Sequence, residues 1–220
     1  MTERVRPKEF HLAGGVDDWR VLGDGACAFF RTDSFAAGAR LAAAIGELPG
    51  LDAHHPDVDV RHDGVTVRLV TVTDDSYGLS ERDVELAREI SAVARTLGAP
   101  ADPAAVQCVQ VTIDALVRSD VMPFWRAVLG YRDRDDGGED LIDPRGRGPM
   151  FWFQQMDAPR LQRNRIHIDV WVPHDQAEGR VAAAIAAGGR LVTDAHAPAW
   201  WTLADAEGNE ADVCTYGAGG

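Results

Sequence analysis

Basic residues are scarce in this chain. Lys and Arg together number 22 against 35 Asp and Glu, a formal net charge of −13 over 220 residues. Neutralising a nucleic-acid backbone takes clustered Lys and Arg, so nucleic acid is excluded as a partner, and the same balance disfavours an anionic membrane. No apolar run approaches the roughly 20 residues of a membrane span. The opening MTERVRPKEF has no apolar signal core either, and a cytoplasmic protein is expected. Cysteine is sparse too: Cys27, Cys108 and Cys214 are odd in number and far apart. They fit neither a zinc spacing nor a disulfide framework, which leaves buried thiols in a reducing compartment. Gly137-Gly138 and Gly146 to Gly148 sit in acidic or Arg-bearing loops without a phosphate-loop signature. No GxSxG or Cys/His nucleophile pattern is present.

What is there supports two packed domains. An apolar share of 45% is ordinary for globular chains, and 220 residues divide readily into two domains of about 100. Residues 1 to 18 are polar and read as a loose or packed-over tail. Trp19 to Leu22 and Ala26 to Arg31 are strand candidates around the turn Gly23-Asp24-Gly25. Asp33 or Ser34 caps a helix whose apolar face holds Phe35, Leu41, Ala42 and Ile45. Val58 to His62 and Val65 to Val72 alternate as a hairpin about Asp63-Gly64. Ser80-Glu81-Arg82-Asp83 is an N-cap serine with an acid three residues on, opening a helix to Leu97. Gly98 to Pro103 breaks every pattern and reads as the linker, giving domains 1–98 and 105–216.

Beyond the linker, strands are expected at Val106 to Ile113, near Leu141, and at Met150 to Gln155. Further strands follow at Arg165 to Val172, Arg190 to Thr193, Ala199 to Asp205 and Asp212 to Tyr216. Helices are expected at Val121 to Leu129 and Gln176 to Ala187. That order is βαβββ twice. Strand alternation sends Trp200 and Trp201 to opposite faces.

The chemistry-bearing stretch of the first half opens with His54-His55-Pro56. Two imidazoles fixed by a proline can give and take protons near neutral pH; solvated loop histidines are the plain alternative. HHP at His54 to Pro56 and GLSERD at Gly78 to Asp83 resemble the signature of pterin-4a-carbinolamine dehydratases, and the likeness runs loosely over residues 8 to 98. It implies an α/β sandwich, an antiparallel sheet with helices on one face. It also implies a hydro-lyase eliminating water from a 4a-hydroxytetrahydropterin, and a homo-oligomer. His54 and His55 are then the catalytic acid–base pair, with Pro56, Asp57 and Asp83 around the substrate. The family has a third histidine at the end of the second hairpin strand; this chain has Val72, which implies a slow enzyme.

The second half resembles the vicinal oxygen chelate superfamily, the glyoxalase and bleomycin-resistance fold. FWRAVLGY at Phe124 to Tyr131, RIHIDVWV at Arg165 to Val172 and LADAEGNEADV at Leu203 to Val213 carry the likeness. It implies paired βαβββ modules in a half-open barrel, so the whole chain is α+β. It places Gln110, His167 and Asp212 at the metal-ligand positions for Zn, Mn, Fe or Ni, with a metal-free barrel as the alternative. Two other functions stand beside the dehydratase. One is a metal-dependent lyase, isomerase or dioxygenase acting in the barrel on a small oxygenated metabolite. The other is a catalytically silent ligand-binding protein.

Overall fold

Contacts divide the chain into two units, the first running through Val109 and the second from Gln110. The computed structural model describes residues 4–23, 25–73, 76–134, 139–159 and 166–215. Asp24, Gly137-Gly138, Arg165 and Tyr216, each part of an expected turn, loop or strand, lie outside the described residues.

The first unit runs β1 (Arg4–Val5), α1 (Pro7–Leu12), β2 (Arg20–Leu22), β3 (Gly25–Arg31), α2 (Phe35–Gly46), β4 (Asp57–Val60), β5 (Gly64–Leu69), β6 (Thr71–Thr73), β7 (Ser76–Ser80) and α3 (Glu81–Thr96). Of the two expectations for the start, the packed one holds. Pro7 opens α1, and Val5, Phe10 and Val16 are buried in the core, so three apolar side chains anchor an otherwise polar segment. Trp19 is buried as well, its indole donating to Ala87 O and Ser91 Oγ of α3, both at 3.1 Å.

Ser34 caps α2 by accepting from Ala37 N. Leu41 and Ile45 face the core, whereas Phe35, in the first turn, is 59% exposed. Gly38 is the close-approach point: a Cβ there would meet Val60 at 2.9 Å and Val65 at 3.2 Å, so glycine lets α2 lie against the hairpin.

The hairpin forms, but the expected second strand splits after Leu69. β5 stays in the antiparallel sheet β2-β3-β5-β4, while β6 joins β1-β7-β6. Residues 100–102, expected as linker, instead lie along β3. Arg31 N donates to Pro100 O at 2.9 Å and Asp102 N to Phe29 O at 2.8 Å.

The second unit runs β8 (Gln110–Ala115), α4 (Arg118–Leu129), β9 (Arg132–Asp133), β10 (Asp140–Ile142), β11 (Met150–Gln155), β12 (Ile168–Trp171), α5 (Ala177–Ala186), β13 (Arg190–Thr193), β14 (Trp200–Ala204) and β15 (Glu210–Cys214). The βαβββ order therefore occurs twice. Each module's sheet has the same plan, β8-β11-β10-β9 and β12-β15-β14-β13, with first and last strands parallel and the other pairs antiparallel. Gly130 ends α4 in the left-handed conformation (φ 70°), which favours glycine. Phe124, Trp125, Phe151 and Phe153 share one core with Ala184, Leu203, Ala211 and Val213. The buried carboxylate of Asp205 ties it down, accepting from Trp125 Nε1 (2.9 Å), Glu207 N (3.0 Å), Asn209 N (2.9 Å) and Asn209 Nδ2 (2.8 Å).

Candidate functional site

In the first unit the helix start fixes the site. Asp83, in the first turn of α3, is fully buried and accepts from Ser80 N at 2.7 Å through Oδ2, the capping arrangement read from the sequence. The same oxygen accepts from Thr71 Oγ1 at 2.6 Å and Ser80 Oγ at 3.0 Å. Its other oxygen, Oδ1, lies 2.7 Å from His54 Nε2. Burial pushes the Asp83 carboxyl up. Hydrogen bonds from His54, Thr71 and Ser80, with the charge on His54, more than offset this and hold it below its usual range. The carboxylate therefore stays ionised in a dry setting and fixes one imidazole nitrogen.

The other candidates divide. His54 retains 17% side-chain exposure, and its neighbour His55 is exposed. Pro56 is half-buried between His55 and the start of β4. Asp57 is turned to a different partner: it pairs with Arg68 across the β4–β5 ladder, Arg68 Nε donating at 3.0 Å. Of the two carboxylates expected near the histidines, Asp83 is the one on His54.

Val72 takes no part. Thr71 reaches Asp83, successive strand residues point to opposite faces, and Val72 is 42% exposed. The acidic turn Asp74-Asp75 lies outside the described residues. Thr71 was not foreseen, since a threonine in an alternating run carries no motif. Ser80 was foreseen only as a cap. The first unit also has a cavity of about 360 Å³ lined by Asp18, Phe30, Ser91 and Arg95 among others, none of them a candidate.

In the second unit, parallel pairing of β12 with β15 sets Asp169 beside Asp212. His167 Nε2 lies 3.2 Å from Asp169 Oδ1 and 3.5 Å from Asp212 Oδ2. One ligand atom from each of the three falls within 4.8 Å of the others. Asp212 Oδ1 is buried without a hydrogen-bond partner among the described residues. Buried acceptors are normally satisfied, so an orphaned carboxylate oxygen beside an imidazole suits a divalent cation. Two of the three expected ligands, His167 and Asp212, come together. For Gln110 the structure gives one contact, its Nε2 donating to Asp140 Oδ1 at 3.1 Å. Asp169 was missed; its place two residues after His167 on a strand, hence on the same face, was the available signal. Nearby, burial pushes the Cys214 thiol up to about 11, helped by the charges of Asp169 and Asp212.

Comparison with known proteins agrees with the two-unit build. The profile for pterin 4 alpha carbinolamine dehydratase matches residues 4–93, and that for a glyoxalase-like domain matches residues 110–214. A relative from Nocardia farcinica, provisionally named pterin-4-alpha-carbinolamine dehydratase, is 37% identical over 80 residues, 36% of this chain and 82% of its own length. One of the same provisional name from Mycobacterium leprae is 32% identical over 75 residues, 34% of this chain and 78% of its own. A transcriptional coactivator/pterin dehydratase from Brucella melitensis has 23% identity and a TM-score of 0.37, covering 42% of this chain and 99% of that one. The fosfomycin resistance protein FosX from Mesorhizobium loti has 10% identity and a TM-score of 0.41, covering 51% and 93%.

Proposed function

The chain belongs, through residues 4–93, to the pterin-4a-carbinolamine dehydratase family and carries a glyoxalase-like domain over residues 110–214; from that premise we propose that its first domain dehydrates a 4a-hydroxytetrahydropterin. The observation that carries the reading is the 2.7 Å contact between His54 Nε2 and the buried Asp83 carboxylate. With Nε2–H donated to Asp83, the lone pair of His54 sits on Nδ1, where it accepts the proton from N5 of the substrate. Asp83 then stabilises the imidazolium that forms. His55, at the surface, delivers a proton to the leaving hydroxyl. The C4a–O bond breaks, the N5 electron pair closes the C4a=N5 bond, and the products are water and the quinonoid dihydropterin. Proton count is conserved, one taken and one given. The family's homo-oligomeric state and a cytoplasmic setting belong to the same proposal. No helix among the described residues is long and apolar enough to cross a membrane.

A stopped-flow dehydration assay of wild type, His54→Ala and His55→Ala tests it. Each substitution is expected to lower the rate by about 10²–10⁴-fold; equal rates in all three proteins would end the dehydratase reading.

A second reading places a divalent cation in the glyoxalase-like domain, favoured by the grouping of His167, Asp169 and Asp212 and by the buried Asp212 Oδ1, which has no hydrogen-bond partner among the described residues. A bound cation would supply Lewis-acid polarisation of a substrate oxygen there, as a lyase, isomerase or dioxygenase requires. The chain's own part is to present two carboxylates and an imidazole together on one sheet face.

A further inference from the structure

At the C-terminal end of α3 the first unit carries its cavity of about 360 Å³, a size that takes a small molecule. The inner wall is Phe30 of β3 with Ser91 and Ala94 of α3, all buried. Residues 98–101 close the far side and are held there by the backbone. Ala99 N donates to Ala94 O and Arg31 N to Pro100 O, both at 2.9 Å, and Ala101 pairs with Phe30. The cavity is separate from the His54 site, since Ser91 follows Asp83 on α3 by about 12 Å of helix. Ala94, Arg95 and residues 98–101 also lie past residue 93, where the match to the dehydratase profile ends.

The inner wall asks for no polar partner. Ser91 Oγ, its one hydroxyl, already accepts from Trp19 Nε1 at 3.1 Å, and the side chains beside it are hydrocarbon. The outer edge carries one charge of each sign. Asp18 Oδ2 and Arg95 Nη1 are 3.6 Å apart, with side chains 28% and 66% exposed. That separation is too long for a hydrogen bond, and exposed pairs of this kind contribute little. Among the described residues neither charged group has a hydrogen-bond partner, so both keep their capacity for a ligand.

We propose that this cavity binds a free α-amino acid with a large apolar side chain. The ammonium and carboxylate of such a molecule branch from one carbon, so they can meet the neighbouring Asp18 carboxylate and Arg95 guanidinium together, each facing its opposite charge. The apolar side chain then leaves water for the space between Phe30 and residues 98–101. A simple apolar acid would set its carboxylate beside Asp18, and a simple apolar amine would set its charge beside Arg95, so each matches half of the edge. The site shares no residue with the dehydratase or the cation reading and stands apart from both.

The test is a proton–nitrogen NMR titration of the full chain with L-leucine. The Trp19 indole N–H is the local reporter, because it donates to Ser91 on the cavity wall. Saturable movement of that resonance is expected. Three probes each lack one part of leucine: 4-methylpentanoate the ammonium, 3-methylbutylamine the carboxylate, and glycine the side chain. Each binds about tenfold or more weakly than leucine. Asp18→Asn and Arg95→Gln keep the side-chain shapes, and each lowers leucine affinity about tenfold. No saturable movement of the Trp19 resonance by about 10 mM leucine overturns the proposal. So does any of the three probes binding as tightly as leucine, or leucine affinity unmoved in both variants.

Discussion

His54 and Asp83 are 29 residues apart in sequence, yet their side chains meet at 2.7 Å. Asp83 serves two ends at once: its Oδ2 closes the start of α3 while its Oδ1 orients an imidazole. Folding of the helix terminus and placement of the base are therefore one event.

Replacing that carboxylate separates the two. Asp83→Asn removes the charge that favours the His54 imidazolium, and the dehydration rate is expected to fall about 10²–10⁴-fold. Steady-state and single-turnover dehydration kinetics check this, with the KM for the pterin changing far less than kcat.

Acid should weaken the first domain through the same residue. Asp83 titrates at 3.8 when unperturbed and lower in the fold. The unfolded chain thus binds the proton first, and the stabilisation is present above about pH 4 and lost as pH falls through the folded-state value. Urea denaturation followed by tryptophan fluorescence at stepped pH should show that loss in wild type. Asp83→Asn should lack this component.

Val72→His is expected to leave the dehydration rate within about twofold of wild type. The strand pleat turns position 72 away from the face on which Thr71 touches Asp83. A tenfold gain in the stopped-flow assay would show that β6 has another register.

For the cation reading, manganese bound per chain after dialysis should drop in His167→Ala, Asp169→Asn and Asp212→Asn, by about tenfold or more in affinity. Gln110→Ala should change affinity far less, because a neutral amide is a weak ligand beside two carboxylates and an imidazole. Inductively coupled plasma mass spectrometry reads the result, and retention by all three cluster variants would remove the site.

Asp205→Ala should destabilise the second domain by about 2–4 kcal/mol, since four donors converge on that buried carboxylate and lose it together. Chemical denaturation measures the change.

Much of this was legible in the chain itself. The capping serine and acid of α3, the hairpin turn and the doubled βαβββ order are local patterns, and local patterns survive into the fold. What escaped depends on long-range pairing. The run from Val65 to Val72 reads as one strand, yet β6 leaves for a different sheet, a decision made by β1 and β7. Phe10 holds down a stretch that composition marks as a tail. At the sites, the HHP triplet named the histidines but could not choose between Asp57 and Asp83. That choice lies in the β4–β5 register, which hands Asp57 to Arg68. Asp169 stands two residues after His167 on the expected strand, but its place beside Asp212 depends on the parallel pairing of β12 with β15.

That parallel clasp has a consequence for biosynthesis. β12 emerges from the ribosome some forty residues before its partner β15, and until β15 has cleared the exit tunnel Asp169 and Trp171 lack the strand with which they pair. The second module's binding face thus cannot be sampled on the nascent chain, whereas the first unit is already translated in full and free to assemble around Asp83.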